Sequence, residues 1–444
     1  MKIYCSGIGG IGLSAYAALQ NANGHEVLGS DRALTDLTED LESQGITVFD
    51  SQDGSKVCED ADIFVYSEAI PESAPERVKA SEYGIRQLSY FAALGELSKE
   101  YETVIAICGT HGKSTTTAMI ANVLVDVSGN YNDTTVIVGT KVPYLNGKNW
   151  WRGQGKKRLI VEACEYKGSF FHLKPDIVLM TNVDWDHVDY YPNPESYQRA
   201  YIDFLSGLSD DAIVITHMQD KECALVVQKA SRLELVVDAD NVPLTNFHLK
   251  IPGRHMTENA TLVYALCTEP VCGIQLNDFI VGGALSSYNG TWRRFEEKGR
   301  TKSGAIVVDD YAHHPREIVC TIASAIQKYP NANRIISLFQ PHLHNRTIAL
   351  MDDLSKAFIG SQIVLVTDVY EARTENTNEK VDMNILVDAI NTGSTPYTNS
   401  EKKCIYVGDL SAAKKFCCNL LQQDDVLIVM GAGTVTNVAQ ELIA

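Results

Sequence analysis

The residues best suited to chemistry form a short glycine-rich segment, GTHGKST, at residues 109–115. It follows an apolar, strand-like run and precedes a helix-like segment, which is the setting of a phosphate-binding loop. In such a loop, Lys113 neutralises a transferred phosphoryl group and Ser114 holds a magnesium ion. Ile107 stands where the general pattern has its first glycine, so the segment indicates a particular subfamily. The alternative is a chance match, which the flanking strand and helix argue against.

A second glycine-rich turn, GIGGIG, occupies residues 7–12. Its amides could approach a diphosphate closely, helped by the partial positive charge at the start of the following helix. Asp31 lies 19 residues beyond Gly12, where a carboxylate could accept hydrogen bonds from a ribose. Alone, the motif is typical of an NAD site, and a ligand-free turn is the other alternative. The motif does not specify which diphosphate binds.

Polar residues follow two later apolar runs. Glu162 ends one run and His187 follows another, so the two side chains could hold a second magnesium ion. A satisfied structural histidine is the alternative for His187. We predict that Glu165, Asp184 and Asp189 are solvated or capping residues, with a ligand role equally open for Glu165.

The last third of the chain offers cations and imidazoles at the ends of apolar runs. One arginine of the pair Arg293-Arg294 could stabilise phosphoryl charge, and one aspartate of the pair Asp309-Asp310 could bind a ribose, although all could be ordinary surface charges. His313, His314 and Arg346 suit the binding of a small carboxylate. Alternatively, the histidines could be ligands of a zinc ion, but no spacing of cysteines or carboxylates supports a zinc site.

Strands and helices must bring these residues together, and the chain alternates short apolar runs with helix-length segments from end to end. This pattern predicts an α/β fold with mainly parallel sheets. Three blocks are expected, at residues 1–97, 98–298 and 299–444. Predicted strands cover residues 2–5, 26–29, 104–108, 158–161, 177–180, 305–308, 334–338, 362–366 and 426–430. Predicted helices at residues 11–21 and 115–125 follow the two glycine-rich segments.

Composition excludes several function classes. A net charge of -18 disfavours a broad basic surface for nucleic acid or anionic membranes. No apolar run reaches the roughly 18 residues of a membrane span, so no membrane insertion is expected. Eleven scattered cysteines predict a reduced, cytoplasmic protein.

Many of these segments resemble, in the same order, the motifs of the Mur ligases of peptidoglycan synthesis. The resembling segments run from end to end: GIGGIGLS, YSEAIP, GTHGKSTT, the run at Glu162, TNVDWDHVD, RRFE, DDYAHHPREI, FQPHLHNRT, DVYEA and MGAG. Relatives that add later residues of the stem peptide carry a carbamylated lysine where Tyr201 and Ile202 stand here. This difference favours the ligases that add the first amino acid.

The resemblance implies three domains and an activity. The domains would be a Rossmann-like UDP-sugar-binding domain, a central P-loop ATPase domain with a mainly parallel sheet, and a C-terminal Rossmann-like amino-acid-binding domain. The implied reaction uses ATP and Mg²⁺ to join L-alanine to the muramoyl carboxylate of UDP-N-acetylmuramate through an acyl phosphate.

The resemblance also implies roles for single residues. The UDP-sugar would contact Gly9, Gly10, Ile11, Asp31 and Ser67. ATP would contact Gly109, Thr110, His111, Gly112, Lys113, Ser114, Thr115, Asn259, Arg294 and Asp310. Magnesium would be bound by Ser114, Glu162 and His187. The amino acid and the carboxylate would face His313, His314 and Arg346. The catalytic residues would be Lys113, Glu162 and His187, with His313 assisting deprotonation of the amine.

The chain departs from the family pattern at Cys164, Met256, Ala312 and Leu343. These departures leave open a non-catalytic, nucleotide-binding relative, although Lys113 is intact. A ligase that attaches a recycled tripeptide to UDP-N-acetylmuramate shares many of the motifs. An NAD-dependent oxidoreductase would leave the GTHGKST segment without a role.

Overall fold

In a computed structural model, the chain forms three mainly parallel β-sheets with connecting helices. The structure describes residues 1–125, 133–231, 233–243, 247–371, 380–393 and 403–443. The chain divides into two compact units. The first unit contains Met1–Asp184, Gln198–Phe247 and Ala260–Leu285. The second unit contains Trp185–Tyr197, His248–Asn259 and Ser286–Ala444.

The first sheet belongs to the first unit, and all its strand pairs are parallel. Its strands are β1 (Lys2–Ser6), β2 (Glu26–Ser30), β3 (Thr47–Phe49), β4 (Ile63–Tyr66) and β5 (Arg86–Ser89). Its helices are α1 (Ile11–Ala22), α2 (Asp36–Ser43), α3 (Pro75–Glu82) and α4 (Tyr90–Ser98). The strand order is β3-β2-β1-β4-β5. After β1 the chain adds β2 and β3 on one side of it and then β4 and β5 on the other side, so the order of addition reverses between β1 and β4. Such a reversal opens a crevice at the carboxyl ends of the two strands, where ligands bind.

The second sheet, also in the first unit, has the order β12-β11-β10-β6-β9-β7-β8. Its strands are β6 (Thr103–Cys108), β7 (Thr134–Val142), β8 (Lys148–Trp151), β9 (Arg158–Glu162), β10 (Ile177–Met180), β11 (Ile213–Thr216) and β12 (Leu235–Asp238). The helices that follow in this stretch are α5 (Lys113–Leu124), α6 (Pro194–Ser206), α7 (Lys221–Lys229), α8 (Arg254–Thr268) and α9 (Asp278–Ser287). Only β8, at the edge, runs antiparallel among the described strands of this sheet. Strand β6 is central, so the segment that follows it lies between the ends of β10 and β9.

The third sheet belongs to the second unit and has the order β13-β14-β18-β15-β16-β17. Its strands are β13 (Glu296–Arg300), β14 (Ile306–Asp310), β15 (Ile335–Phe339), β16 (Ile363–Thr367), β17 (Lys403–Gly408) and β18 (Val426–Met430). Its helices are α10 (Pro315–Lys328), α11 (His344–Ala349), α12 (Met351–Ala357), α13 (Met383–Thr392), α14 (Leu410–Leu420) and α15 (Thr436–Ile443). Strands β14, β15 and β18 are buried over their whole length because helices cover both faces, which explains their continuous apolar runs.

The predicted fold class is confirmed. Every predicted strand is present, with each end within two residues of the observed one. The predicted block boundaries after residues 97 and 298 stay predictions, and β13 runs across the second of them. All eleven cysteines lie in the described residues and are free thiols. Among the described helices, none combines the length and apolar character that crossing a membrane requires.

Candidate active site

The GTHGKST segment joins β6 to α5 in a conformation that depends on its glycines. Gly109 has φ +124°, and a Cβ there would lie 2.0 Å from Thr181 Oγ1. Gly112 has φ +83° and caps the amino end of α5. A side chain at either position would be strained. The backbone N–H groups at the start of α5 are therefore available to an anion, as in phosphate-binding loops.

The loop is fastened to the segment after β10. Asn182 accepts a hydrogen bond from the His111 amide on its Oδ1 atom, at 3.0 Å. Thr110 donates its hydroxyl to the Asp184 carbonyl at 2.8 Å and accepts from the Asp184 amide at 2.8 Å. The His111 ring lies 3.0 Å from the Asp184 carboxylate. Asp184 thus holds the loop through its backbone and its partly exposed carboxylate, a contact that the predicted solvated or capping role did not include.

Lys113 uses all three of its ammonium hydrogens inside the first unit. It donates to the carbonyl oxygens of Gly109 and Thr110 and to Glu165 Oε2, the last at 3.0 Å. Glu165 is 1% exposed, so it is not solvated, and it is the counter-ion of Lys113. Burial would lower the pKa of Lys113, but the neighbouring acidic groups, Glu165 foremost, together raise it. Lys113 is therefore a permanent cation at this position.

Ser114 and Glu162 are neighbours, as a shared metal site requires. The Ser114 hydroxyl donates to Glu162 Oε2 at 3.0 Å. The other carboxylate oxygen accepts the Gly139 amide. A hydroxyl and a carboxylate are hard oxygen donors of the kind that Mg²⁺ prefers. The fit to Mg²⁺ therefore rests on Ser114 and Glu162 within the first unit.

The GIGGIG turn follows β1 and lies at the carboxyl ends of β1 and β4. Gly7 has φ +80°, and a Cβ there would lie 2.9 Å from the Ser67 Cβ atom. The Gly9 amide donates to Asp31 Oδ2 at 2.9 Å. Gly10 caps α1 with an extended backbone and no side-chain cap, which leaves helix amides open to a ligand. The turn thus brings Gly9, Gly10, Ser67 and Asp31 together, and Asp31 organises the turn itself.

Helix α1 is also held by the second sheet. Asn149, in β8, donates its side-chain amide to the Ile11 carbonyl at 2.7 Å and to Ser14 Oγ at 3.0 Å. A Cβ on Gly12 would lie 2.9 Å from the Tyr90 ring, so that ring packs directly on the helix. The GIGGIG turn is therefore fixed against the sheet that carries the GTHGKST segment.

A buried ion pair organises the candidate site of the second unit. Arg346 donates two hydrogen bonds to Asp186, at 2.8 and 3.0 Å. Burial would raise the pKa of Asp186, but the neighbouring cationic groups, the Arg346 guanidinium foremost, together hold the pKa well below its usual range. Asp186 also accepts the His187 amide at 2.7 Å, where His187 has φ +53°. Asp186 thus positions both Arg346 and the backbone of His187.

His313 and His314 lie at the amino end of α10. The Glu317 carboxylate accepts both of their amides, at 3.0 and 3.1 Å, which forms a capping box. The Nδ1 atom of His313 lies 3.0 Å from the Tyr311 carbonyl oxygen. Because a carbonyl only accepts, Nδ1 carries the proton and Nε2 keeps its lone pair. Burial and the Arg346 charge lower the pKa of His313, so the ring is neutral and basic at neutral pH.

Asp310 and Arg294 are close enough to interact. The Asp310 carboxylate accepts the amides of Phe295 and Ala312, each at 2.8 Å. Burial raises the pKa of Asp310 to about 6, and Arg294 opposes that shift. Arg294 lies over the Tyr311 ring at 4.9 Å, and Asn259 is buried in the same unit.

The four departures from the family pattern are accommodated in different ways. Burial raises the pKa of Cys164 to about 12, so this thiol adds no charge beside Lys113. Leu343 is buried with φ +62°, an unusual backbone for a leucine, and precedes α11. Met256 and Ala312 are buried apolar residues.

The sequence did not reveal the supporting roles of five residues, although Glu165 and Asp184 were themselves noted as polar residues after apolar runs. Thr181, Asn182, Asp184, Glu165 and Asp186 are the partners of loop or site residues. Their partners lie 52 to 160 residues away in the chain, so spacing gives no signal for them. The only available signal was their position directly after strand-like runs.

Comparison with known families gives three matches in order. Residues 2–102 match the family described as "Mur ligase family, catalytic domain". Residues 107–241 match "Mur ligase middle domain", and residues 293–433 match "Mur ligase, glutamate ligase domain".

Full-length relatives agree with these matches. A UDP-N-acetylmuramate–L-alanine ligase of Acetivibrio thermocellus is 32% identical over 99% of this chain and 94% of that protein. The solved structure of a UDP-N-acetylmuramate-alanine ligase from Thermotoga maritima has a TM-score of 0.80 at 24% identity, covering 100% of this chain and 98% of that one. A murein peptide ligase from Psychrobacter arcticus has a TM-score of 0.73 at 20% identity, with the same coverage. The two solved structures support the fold.

Proposed function

Because the chain belongs to the Mur ligase family, an ATP-dependent group that forms C–N bonds, we propose that it joins L-alanine to the muramoyl carboxylate of UDP-N-acetylmuramate. The observation that carries this proposal is the phosphate loop, in which Lys113 and Ser114 start α5 beside Glu162. Full-length similarity to L-alanine ligases supports the choice of substrates.

The first sheet would bind the UDP-sugar. Gly9, Gly10 and Ile11 would hold the diphosphate at the amino end of α1, with Ser67 and Asp31 beside them. The bond from the Gly9 amide to Asp31 supports a loop-organising role for that carboxylate. A carboxylate next to a diphosphate is repulsive, so Asp31 would act by shaping the turn or by binding a hydroxyl.

The second sheet would bind ATP and promote phosphoryl transfer. An oxygen of the muramoyl carboxylate attacks the γ-phosphorus, the bond to the β,γ-bridging oxygen breaks, and ADP leaves. Lys113 stabilises the developing charge on the γ-phosphoryl oxygens. Ser114, Glu162 and His187 would hold Mg²⁺, which neutralises phosphate charge when bound. Asn259, Arg294 and Asp310 would contact the nucleoside.

The amine of L-alanine would then attack the acyl phosphate and expel inorganic phosphate. This step needs a neutral amine, and the lone pair on His313 Nε2 is suited to accepting its proton. His314 and Arg346 would face the amino-acid and muramoyl carboxylates. Because Arg346 is paired with Asp186, it would act with that partner in place.

The proposal includes a domain arrangement and a compartment. Residues 1–97 would bind the UDP-sugar, residues 98–298 ATP, and residues 299–444 the amino acid. The partners would be these small molecules, with no nucleic acid, and the protein would act in the cytoplasm.

Phosphate release tests the proposed substrates. The protein is incubated with UDP-N-acetylmuramate, ATP and Mg²⁺, and L-alanine, glycine, L-serine or the stem tripeptide is added singly. We expect phosphate release that depends on L-alanine. Release only with the tripeptide would identify the recycling ligase, and release with none of the four would contradict the proposal.

A further inference from the structure

The Lys113 ammonium donates all three of its hydrogens to acceptors of the protein itself. Its three hydrogens go to the carbonyl oxygens of Gly109 and Thr110 and to the Glu165 carboxylate. Glu165 is 1% exposed, and the Lys113 side chain is 15% exposed. A phosphate oxygen can therefore reach this ammonium only by replacing one of the three acceptors.

The three acceptors are not equivalent. Gly109 and Thr110 belong to the phosphate loop, so their carbonyls stay with Lys113 when the loop wraps a phosphate. Glu165 comes from the turn after β9, 52 residues along the chain, and it is the only anion of the three. A carboxylate and a phosphate at the same ammonium repel each other, and the low dielectric of a buried site strengthens that repulsion.

We propose that Glu165 is a positioning residue that occupies the anion position on Lys113 in the ATP-free enzyme and is displaced from it by the nucleotide phosphates. The inference rests on the proposed use of ATP at this loop. In the ATP-free state, Glu165 neutralises a buried cation that would otherwise disfavour the folded loop. The consequence is competition, because ATP must break this ion pair to reach Lys113.

A purely structural ion pair predicts the opposite behaviour. If Glu165 only supports the loop and keeps its contact throughout turnover, its loss loosens the loop and weakens ATP binding. Competition instead predicts tighter ATP binding when the charge is removed. The direction of the change in nucleotide affinity therefore separates the two roles.

The test is Glu165→Gln, which keeps the shape and an acceptor oxygen but removes the charge. The probe is the β,γ-imido analogue of ATP with Mg²⁺, titrated by calorimetry without UDP-sugar or amino acid. We expect the Kd of the analogue to fall by about fivefold, within the usual coupling range of contacting residues. A Kd that is unchanged or higher overturns the proposal.

A double-mutant cycle links the effect to Lys113. In a Lys113→Met background, Glu165→Gln should lower the Kd by less than it does with Lys113 present, because no ammonium remains to compete for and only the repulsion between carboxylate and phosphate is relieved. A gain of the same size without Lys113 would overturn the mechanism. Glu165→Asp provides a second variant if the glutamine protein does not fold, because the shorter carboxylate retreats from the ammonium and should also lower the Kd, by less.

The matched control is Glu100→Gln. Glu100 forms an ion pair with Lys156 at 2.9 Å, but both side chains are exposed. Its loss should leave the Kd unchanged, so a gain there would show that net charge alone is responsible and would overturn the inference. Because binding is measured without acceptor substrates, the result does not depend on which amine the enzyme uses. A wild-type protein that does not bind the analogue would overturn the ATP dependence itself.

Discussion

Lys113 has two partners at different stages of the proposed cycle, and this links catalysis to folding stability. In the resting protein it neutralises Glu165, which is almost fully buried. During turnover it would stabilise the γ-phosphoryl group. Removal of the lysine therefore has two separable consequences, one for the reaction and one for the fold.

We predict that Lys113→Ala abolishes turnover and lowers the free energy of unfolding by about 3–5 kcal/mol, because it removes the ammonium that neutralises the buried Glu165 carboxylate. The double variant Lys113→Ala with Glu165→Gln should regain most of that stability and no turnover. Urea unfolding followed by circular dichroism measures the first quantity, and phosphate release the second. Equal stability of the two variants would argue against an uncompensated charge.

His313 supplies a prediction about pH. Burial and Arg346 lower its pKa below the ordinary 6.5, so the basic form persists below that pH and is lost only as the pH falls through the shifted value. The acid limb of kcat due to this group should lie below pH 6.5. His313→Gln should remove that limb and lower kcat by about a hundredfold or more.

Glu317→Gln provides the matched variant. Its oxygen can still accept the amides of His313 and His314, but it no longer raises the pKa of His313 by its charge. The acid limb should therefore move to still lower pH while the cap of α10 remains. An acid limb at the same pH in both proteins would exclude His313 as its source.

At the residue scale, the sequence predicts the role of a residue when the motif that gives it that role lies within a few residues in the chain. Lys113 and Ser114 were recognisable because the glycines, the preceding strand and the following helix lie within a few residues of them. Glu165 and Asp184 were not, since their roles depend on pairing with Lys113 and His111, 52 and 73 residues earlier. A carboxylate after a strand looks the same in sequence whether it is solvated or buried.

At the scale of elements, α1 would present its amino end to a diphosphate under the proposed function, and Asn149 of β8 holds the helix in place. The Asn149 side chain is buried, and its two hydrogen bonds reach the first turn of the helix. The position of this turn relative to the phosphate loop therefore depends on a residue of the second sheet.

We predict that Asn149→Ala raises the KM for UDP-N-acetylmuramate by about two- to tenfold, which corresponds to the usual 0.5–1.5 kcal/mol of a lost hydrogen bond. The KM for ATP should not change, since the phosphate loop keeps its contacts. Steady-state kinetics with each substrate varied in turn measures both. Asp40→Asn is the control, because its surface ion pair with Lys141 joins helix α2 to strand β7 of the second sheet. An equal rise in both KM values for Asn149→Ala would indicate general loosening instead.

The predicted elements were those with strong local signals. Strands β6, β10, β14 and β18 are buried on both faces, so their continuous apolar runs revealed them. Edge strands gave no such signal, because β12 and β13 carry exposed or charged residues and are defined by their pairing with a neighbour. The antiparallel direction of β8 and β13 likewise follows from tertiary pairing.

At the scale of the whole molecule, the compact units do not follow the order of the chain. The second unit takes in Trp185–Tyr197 and His248–Asn259 from the middle of the sequence. The first of these segments carries Asp186, which pairs with Arg346 across 160 residues of chain. Block boundaries drawn along the sequence cannot place two middle segments of the chain in the second unit, because only contacts in the folded protein assign a segment to a unit.

Asp186→Asn should therefore destabilise the second unit selectively. It removes the carboxylate that forms the ion pair with the buried Arg346 cation, which costs about 3–5 kcal/mol. Hydrogen exchange should show faster exchange in α11 and in the strands of the third sheet, while β6 and α5 of the first unit keep wild-type rates. Asp352→Asn, which removes an exposed ion pair with Lys356 in α12, should leave all rates unchanged. Faster exchange spread equally over both units in Asp186→Asn would contradict this assignment, because the lost ion pair lies within the second unit alone.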